Sequence, residues 1–199
     1  MKLVIATFNR GKAAEITALL EGTGIDILAL DAFPDMPEVV EDGATFMDNA
    51  LMKARATAVF TGLPALADDS GLVVDALCGL PGVMSARYAS TPEECNAKLL
   101  AVMADVPDGS RSARFVCALA LVSPGGFEWT VEESCVGRIA REPAGSEGFG
   151  YDPVFFYEPL GKTFAQLPRE VKNTISHRWK ALAAFRRAVE EGMMEKIMR

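Results

Sequence analysis

Residues 63–77, LPALADDSGLVVDAL, constrain this chain more than any other stretch, because two adjacent carboxylates, Asp68 and Asp69, interrupt an otherwise apolar run. LPALA and LVVDAL read as short strands on either side of an acidic turn at 68–71. Neighbouring carboxylates at the end of an apolar run repel each other and resist desolvation, so a cation is their natural remedy. Oxygen donors, a single histidine and no cysteine cluster favour magnesium or manganese over zinc, and Glu41 and Asp42 can add further carboxylates. The plainer reading is an ordinary solvated acidic turn. Aspartic-protease chemistry needs two such aspartates sharing a proton, and the chain offers one Asp-Ser-Gly triplet.

Around this run the pattern alternates strand and helix. Residues 2–7 form a β-branched and apolar strand ending in a polar turn at Asn9, after which Ile16, Leu19 and Leu20 take helical spacing. A second helix starts at Thr45 with Asp48 in a capping-box position, placing Asn49 and Lys53 on one face a turn apart. Thr91-Pro92-Glu93-Glu94 is a strong helix start, with an N-cap, a proline and two acids at the positive dipole end. Residues 114–122 and 127–139, joined by Pro124-Gly125-Gly126, read as a long hairpin. An aromatic strand follows at 153–157, and a last helix begins near Ser176. The expected fold is α/β, a mixed β-sheet with flanking helices, formed by residues 1–199 as a single domain.

Two helix starts carry charge of the wrong sign. Helix N-termini favour acids, yet Arg10 and Lys12 open the first helix, and His177 and Arg178 open the last. Each costs stability unless an anion sits there. Unpaired N–H groups, Gly11 and the adjacent Lys12 describe a phosphate-binding corner, although TFNRGK is not the phosphate-loop pattern and a surface-charge reading stays open. Cationic helix ends together with a carboxylate cluster suit a metal-bound polyphosphate. Phe149 and Tyr151 in GFGYD offer stacking surfaces, and Asp152 and Arg178 offer hydrogen bonds to a base edge, but core packing explains such aromatics as well.

Composition removes several alternatives. A formal net charge of −7 argues against a protein that coats nucleic acid, which needs many cationic contacts to phosphate. Four dispersed cysteines, Cys78, Cys95, Cys117 and Cys135, show no CxxC spacing and fit a reduced, cytoplasmic setting. The apolar run at the N-terminus is too short for a signal peptide, and no stretch approaches the ~20 apolar residues of a membrane span.

In these residues the sequence resembles the inosine triphosphate pyrophosphatase family, also called Ham1-like or XTP/dITP diphosphatases. The shared motifs run nearly end to end: ATFNRGK from Ala6, EDGATFMDNALMKA from Glu41, LADDSGLVVDALCGLPGVMSARYA from Leu66, GFGYDPVFF from Gly148 and KNTISHR from Lys172. The resemblance implies an elongated, two-lobed fold of the Maf/Ham1 type with a central nucleotide cleft, and a homodimer. It implies Mg²⁺-assisted attack of water on the α-phosphorus of ITP, dITP or XTP, releasing pyrophosphate. Carried onto this chain, Thr7, Phe8, Asn9, Arg10, Gly11 and Lys12 hold the phosphates, and Lys53 adds positive charge. Asp69 is the general base and a metal ligand, Glu41 and Asp68 support the metal, and Ser70 contacts substrate. Phe149 stacks on the purine, Gly150 and Tyr151 bind substrate beside it, and Asp152, Lys172, His177 and Arg178 border base and sugar. Phe8 and Arg10 occupy variable positions of the first motif, and Trp179 follows the SHR triplet. Competing readings are a Maf-type pyrophosphatase of other base preference, a non-catalytic Mg-nucleotide sensor, and a nucleic-acid-binding domain.

Overall fold

A computed structural model describes residues 1–197. The strands are β1 (Lys2–Ile5), β2 (Asp26–Ala29), β3 (Ala65–Val74), β4 (Ser112–Val122), β5 (Glu128–Ile139), β6 (Phe155–Tyr157) and β7 (Lys162–Thr163). They form one mixed sheet in the order β2-β1-β3-β4-β5-β6-β7. β1 runs parallel to β2 and β3, whereas β5/β6 and β6/β7 are antiparallel. The helices are α1 (Arg10–Leu20), α2 (Phe46–Thr61), α3 (Pro92–Val102), α4 (Arg169–Ile175), α5 (His177–Glu190) and α6 (Met193–Ile197).

Residues 63–77 differ from expectation. β3 is one continuous strand of 10 residues, and Asp68, Asp69 and Ser70 lie inside it rather than in a turn between two strands. Every residue of β3 except Ser70 is buried, so both faces of the strand are covered. Successive side chains leave a strand on opposite faces. The two acids accordingly meet different lysines, Lys12 at Asp68 and Lys53 at Asp69. Because each carboxylate has its own counter-charge, the strand can carry both without emerging into solvent.

Most other expectations hold. Thr45 caps α2 in a complete capping box with Asp48, and Thr91 caps α3 ahead of Pro92. β4 and β5 are sheet neighbours joined by a tight turn, in which Gly126 donates to the Ser123 carbonyl. The strand expected at 153–157 begins only at Phe155, because residues 151–154 form a turn. α4 was not expected; it places Lys172 in helix, and Ser176 separates it from α5.

The chain divides into two compact units. The first comprises Met1–Asp69, Cys117–Glu133 and Ala181–Arg199; the second comprises Ser70–Val116 and Ser134–Lys180. The first packs Leu3, Ile5, Ile16, Leu66, Leu119, Leu182 and Phe185 into its core. The core of the second includes Leu72, Leu99, Phe115, Tyr151, Phe155 and Phe164. Among the described residues, no helix is long and apolar enough to cross a membrane.

Candidate active site

In the first unit, β1 delivers the chain to the turn before α1. Asn9 is the N-cap, its Oδ1 accepting from the Lys12 N–H at 3.1 Å, and Thr7 Oγ1 accepts from the Asn9 N–H at 3.2 Å. Arg10 and Gly11 open the helix, whose first turn contains no acid. First-turn N–H groups have no intrahelical acceptor, so this end presents positive charge. A Cβ at Gly11 would come within 3.2 Å of Asn9 Oδ1, a close fit that favours glycine beside the cap. Phe8 projects outward, 66 % exposed.

Lys12 reaches back to Asp68, Nζ to Oδ2 at 2.9 Å, where the carboxylate side chain has no exposed surface. Lys53 projects from α2 and donates to Glu41 Oε2 at 2.9 Å, to the Asp68 carbonyl at 2.9 Å and to Asp69 Oδ1 at 3.4 Å. Burial alone would lower the Lys53 pKa, but Asp69, Asp68 and Glu41 outweigh it and hold the ammonium above its ordinary value. Burial also pushes Asp69 above the usual carboxylate range; Lys53, Asn49 and Lys12 offset only part of that rise, and Glu41 adds to it. Three carboxylates, Glu41, Asp68 and Asp69, are thus gathered around the ammonium groups of Lys12 and Lys53.

Asn49 belongs to this cluster. Its Nδ2 donates to Asp69 Oδ2 at 3.1 Å, while its Oδ1 accepts from the Gly43 N–H at 2.9 Å. One buried amide thus ties the loop carrying Glu41 to the carboxylate of Asp69. Gly43 has no room for a side chain, since a Cβ there would lie 2.6 Å from Asp48 Cβ and 2.7 Å from Asn49 Oδ1. Sequence reasoning placed Asn49 on the Lys53 face but gave it no role. Its signal was that face, where a polar residue one turn before a lysine can reach the same carboxylate.

Glu41, Asp68 and Asp69 supply hard oxygen donors of the kind that hold Mg²⁺ through one or two carboxylates, with water and substrate phosphates completing the shell. Among the described residues no group of three or more His, Cys, Asp or Glu forms a ready-made metal cage. The clustered carboxylate oxygens, including an Asp69 whose charged form burial disfavours, fit a divalent cation that arrives with its phosphates.

In the second unit, Ser70 continues β3 and is half-buried. Asp152 is 2 % exposed, accepts from the Phe149 N–H at 2.8 Å and pairs with Lys172. Burial raises its pKa, while Lys172, the Phe149 N–H and Arg178 pull the other way. Gly148 makes this packing possible: it has φ +77°, and a Cβ would lie 2.0 Å from Asp152 Oδ2. Phe149 is 48 % exposed, with Lys172 Nζ 4.7 Å and the Arg178 guanidinium carbon 5.6 Å from its ring centroid.

Tyr151 does not share the exposure of Phe149. It is buried in the core, donates its hydroxyl to the Ser85 carbonyl at 2.9 Å, and burial raises its pKa. Phe149 is therefore the one outward ring of the pair. His177 is also buried, stacked on Phe115 with centroids 4.8 Å apart and planes at 16°. Ser176 Oγ accepts from the Trp179 N–H at 3.2 Å, which caps α5 and brings Arg178 into its first turn. An exposed aromatic face bordered by Lys172 and Arg178, with a buried carboxylate behind, suits a planar ring rich in hydrogen-bond acceptors.

Residues 3–188 match the Ham1 family model. The chain belongs to the Ham1 family. Among its relatives, the dITP/XTP pyrophosphatase of Geobacter sulfurreducens is 54 % identical over 188 residues, covering 93 % of this chain and 94 % of that protein. That of Desulforamulus reducens is 53 % identical over 185 residues, covering 92 % of each chain. A HAM1 protein from Coxiella burnetii superposes with a TM-score of 0.92 at 41 % identity, covering 96 % of this chain and all of that one. The Ham1 resemblance thus rests on sequence and fold together, and the Ham1 fold here is the mixed α/β sheet expected from the sequence.

Proposed function

We propose that this chain hydrolyses non-canonical purine nucleoside triphosphates, dITP, XTP and ITP, to the monophosphate and pyrophosphate. The observation that carries this reading is the ion cluster of Lys12, Lys53, Glu41, Asp68 and Asp69, which sets cations that can bind phosphate beside carboxylate oxygens that can hold a divalent metal. The names of the relatives, dITP/XTP pyrophosphatases, agree with it.

In this reading the N-terminus of α1, Thr7 to Lys12, receives the phosphates, and Lys12 and Lys53 offset the charge that grows on the departing pyrophosphate. Asp69 orients a water toward the α-phosphorus and accepts its proton. Glu41, Asp68 and Asp69 would hold Mg²⁺ or Mn²⁺, which when bound neutralises phosphate charge and lowers the pKa of water. Asn49 and Lys53 fix the carboxylate of Asp69 from both of its oxygens. Ser70 contacts the substrate. Phe149 stacks on the base, and Lys172 and Arg178 donate toward the 6-oxo group, with Asp152 orienting them, Gly150 and Tyr151 shaping the loop, and His177 backing the sugar. Adenine, with a 6-amino group, leaves those donors facing another donor, a costly mismatch in a buried site. The same reading takes the enzyme to be a cytoplasmic homodimer.

The test is Mg²⁺-dependent release of pyrophosphate from dITP, XTP, ITP, GTP, ATP and dTTP, with the nucleotide product identified. Selective conversion of the first three to monophosphates is expected. Orthophosphate with a diphosphate product, or preference for a canonical or pyrimidine substrate, refutes it.

A further inference from the structure

We infer that Asn96, which lies outside every motif discussed above, is a positioning residue for base recognition, acting by anchoring the loop that presents Phe149. The inference rests on the reading of Phe149 as the base-stacking ring.

Asn96 sits on α3 between Cys95 and the core residue Leu99, and is 8 % exposed. Its Nδ2 donates to the Gly150 carbonyl at 2.9 Å, across 54 residues of sequence. Its Oδ1 is buried and accepts no hydrogen bond among the described residues, so the donor is what the side chain contributes there. Leaving a buried acceptor unmatched has a cost, and leucine would fill a similar volume without it. An asparagine here is explained by the bond to Gly150.

That bond acts at the centre of the loop. Gly150 has φ +60°, a conformation that reverses the chain between an outward Phe149 and an inward Tyr151. Tyr151 is held by Ser85, and the Phe149 N–H by Asp152. The Gly150 carbonyl is the peptide between these two ties, and α3 holds it. A half-exposed phenylalanine gains by collapsing onto nearby apolar surface, so keeping its face outward requires a backbone fixed on both sides. Thr91, Pro92 and two first-turn acids make α3 a stable post for this purpose.

The test compares full-length wild type with Asn96→Asp, which keeps the shape but presents an acceptor to the Gly150 carbonyl. KM for dITP is expected to rise about three- to tenfold, the worth of one hydrogen bond, with kcat within about threefold. The inhibition constant of pyrophosphate, which reports the phosphate site alone, should not move. Amide hydrogen exchange at residues 149–152 should quicken while exchange in α2 is unchanged. Unaltered KM with unaltered loop exchange overturns the inference, as does equal weakening of pyrophosphate. Should wild type fail to hydrolyse dITP, the functional reading falls, and loop exchange alone decides the anchoring: faster supports it, unchanged refutes it. Asn96→Ser, smaller and still polar, replaces Asn96→Asp in the same measurements if the latter does not fold.

Discussion

Lys12 and Asp68 form an ion pair of 2.9 Å in which the carboxylate side chain is fully buried and the lysine retains 16 % exposure. The pair presents an ammonium at a helix N-terminus, held by a carboxylate that cannot reach bulk water. Lys12→Met should raise KM for nucleotide and also lower stability, by about 1.5–3 kcal/mol, the worth of one hydrogen bond to a charged group. Lys12→Met with Asp68→Asn should recover much of the lost Tm but none of the lost affinity. Denaturant melts and steady-state kinetics on the single and double variants separate the two effects; a double variant no more stable than Lys12→Met contradicts the pairing argument.

Asp69 makes stability and turnover pull in opposite directions. Its pKa is raised in the folded protein by burial, so folding favours the protonated form. The sign is that of a penalty on the charged form: absent below the unfolded pKa, it grows as pH rises from there toward the raised folded value and is complete above it. Asp69→Asn should therefore raise the Tm of the metal-free protein at pH 7 while abolishing turnover. In the wild type, kcat should fall with acid at a pH above the ordinary carboxylate range, and saturating Mg²⁺ should move that limb lower by favouring the ionised form. A limb unaffected by Mg²⁺ argues against Asp69 as a group beside the metal.

Gly148→Ala tests the base side. A methyl group cannot coexist with Asp152 where it stands, and φ +77° disfavours any L side chain. Loss of the Asp152 to Lys172 pairing should raise KM for dITP by about tenfold or more and narrow the preference over dATP. Pyrophosphate inhibition should be unchanged, and a parallel loss there would show a collapse of the fold instead.

Arg111 is 1 % exposed, and its guanidinium donates to the carbonyls of Met103, Val106, Ile139 and Ala140. It joins the end of α3 to the end of β5. Arg111→Met removes donors from four acceptors and should cost at least about 3 kcal/mol of stability. Arg111→Lys should recover only a fraction, because one ammonium cannot match the planar fork. A chemical-denaturation midpoint close to wild type in either variant would contradict this.

The four cysteines should differ in reactivity. Cys78 is exposed, whereas Cys95, Cys117 and Cys135 are buried, and burial pushes the Cys135 thiol up to about 11. Iodoacetamide at neutral pH should label one cysteine per native chain, Cys78, and all four after unfolding. Labelling of Cys135 in the native protein would show that its surroundings open.

Local signals carried much of this fold in advance. Thr45 with Asp48, and Thr91 with Pro92, announce α2 and α3 because a helix N-cap is satisfied by residues within one turn. The turn at Pro124-Gly125-Gly126 announces the β4–β5 hairpin for the same reason. The site residues were legible as charges out of place: a lysine where a helix start prefers an acid, and two acids in an apolar run.

What the sequence by itself determined was therefore the inventory: which helices start where, which strands are apolar, and which charges need a partner. Only the tertiary structure decided the pairing. Asp68 and Asp69 looked like a turn because nothing nearby in sequence neutralises them, and they remain in a buried strand because Lys12 and Lys53 arrive from two different helices. Asn96 and Arg111 were silent for the same reason, since the first is explained by a partner 54 residues away and the second by several carbonyls at once. Tyr151 and Phe149 are alike in sequence, and the left-handed turn at Gly150 sends one into the core and the other out. Local hydrogen bonds and apolar periodicity act over a few residues and can be read from the chain. Burial of a charge is priced by whatever folding brings beside it, and that is a property of the assembled structure.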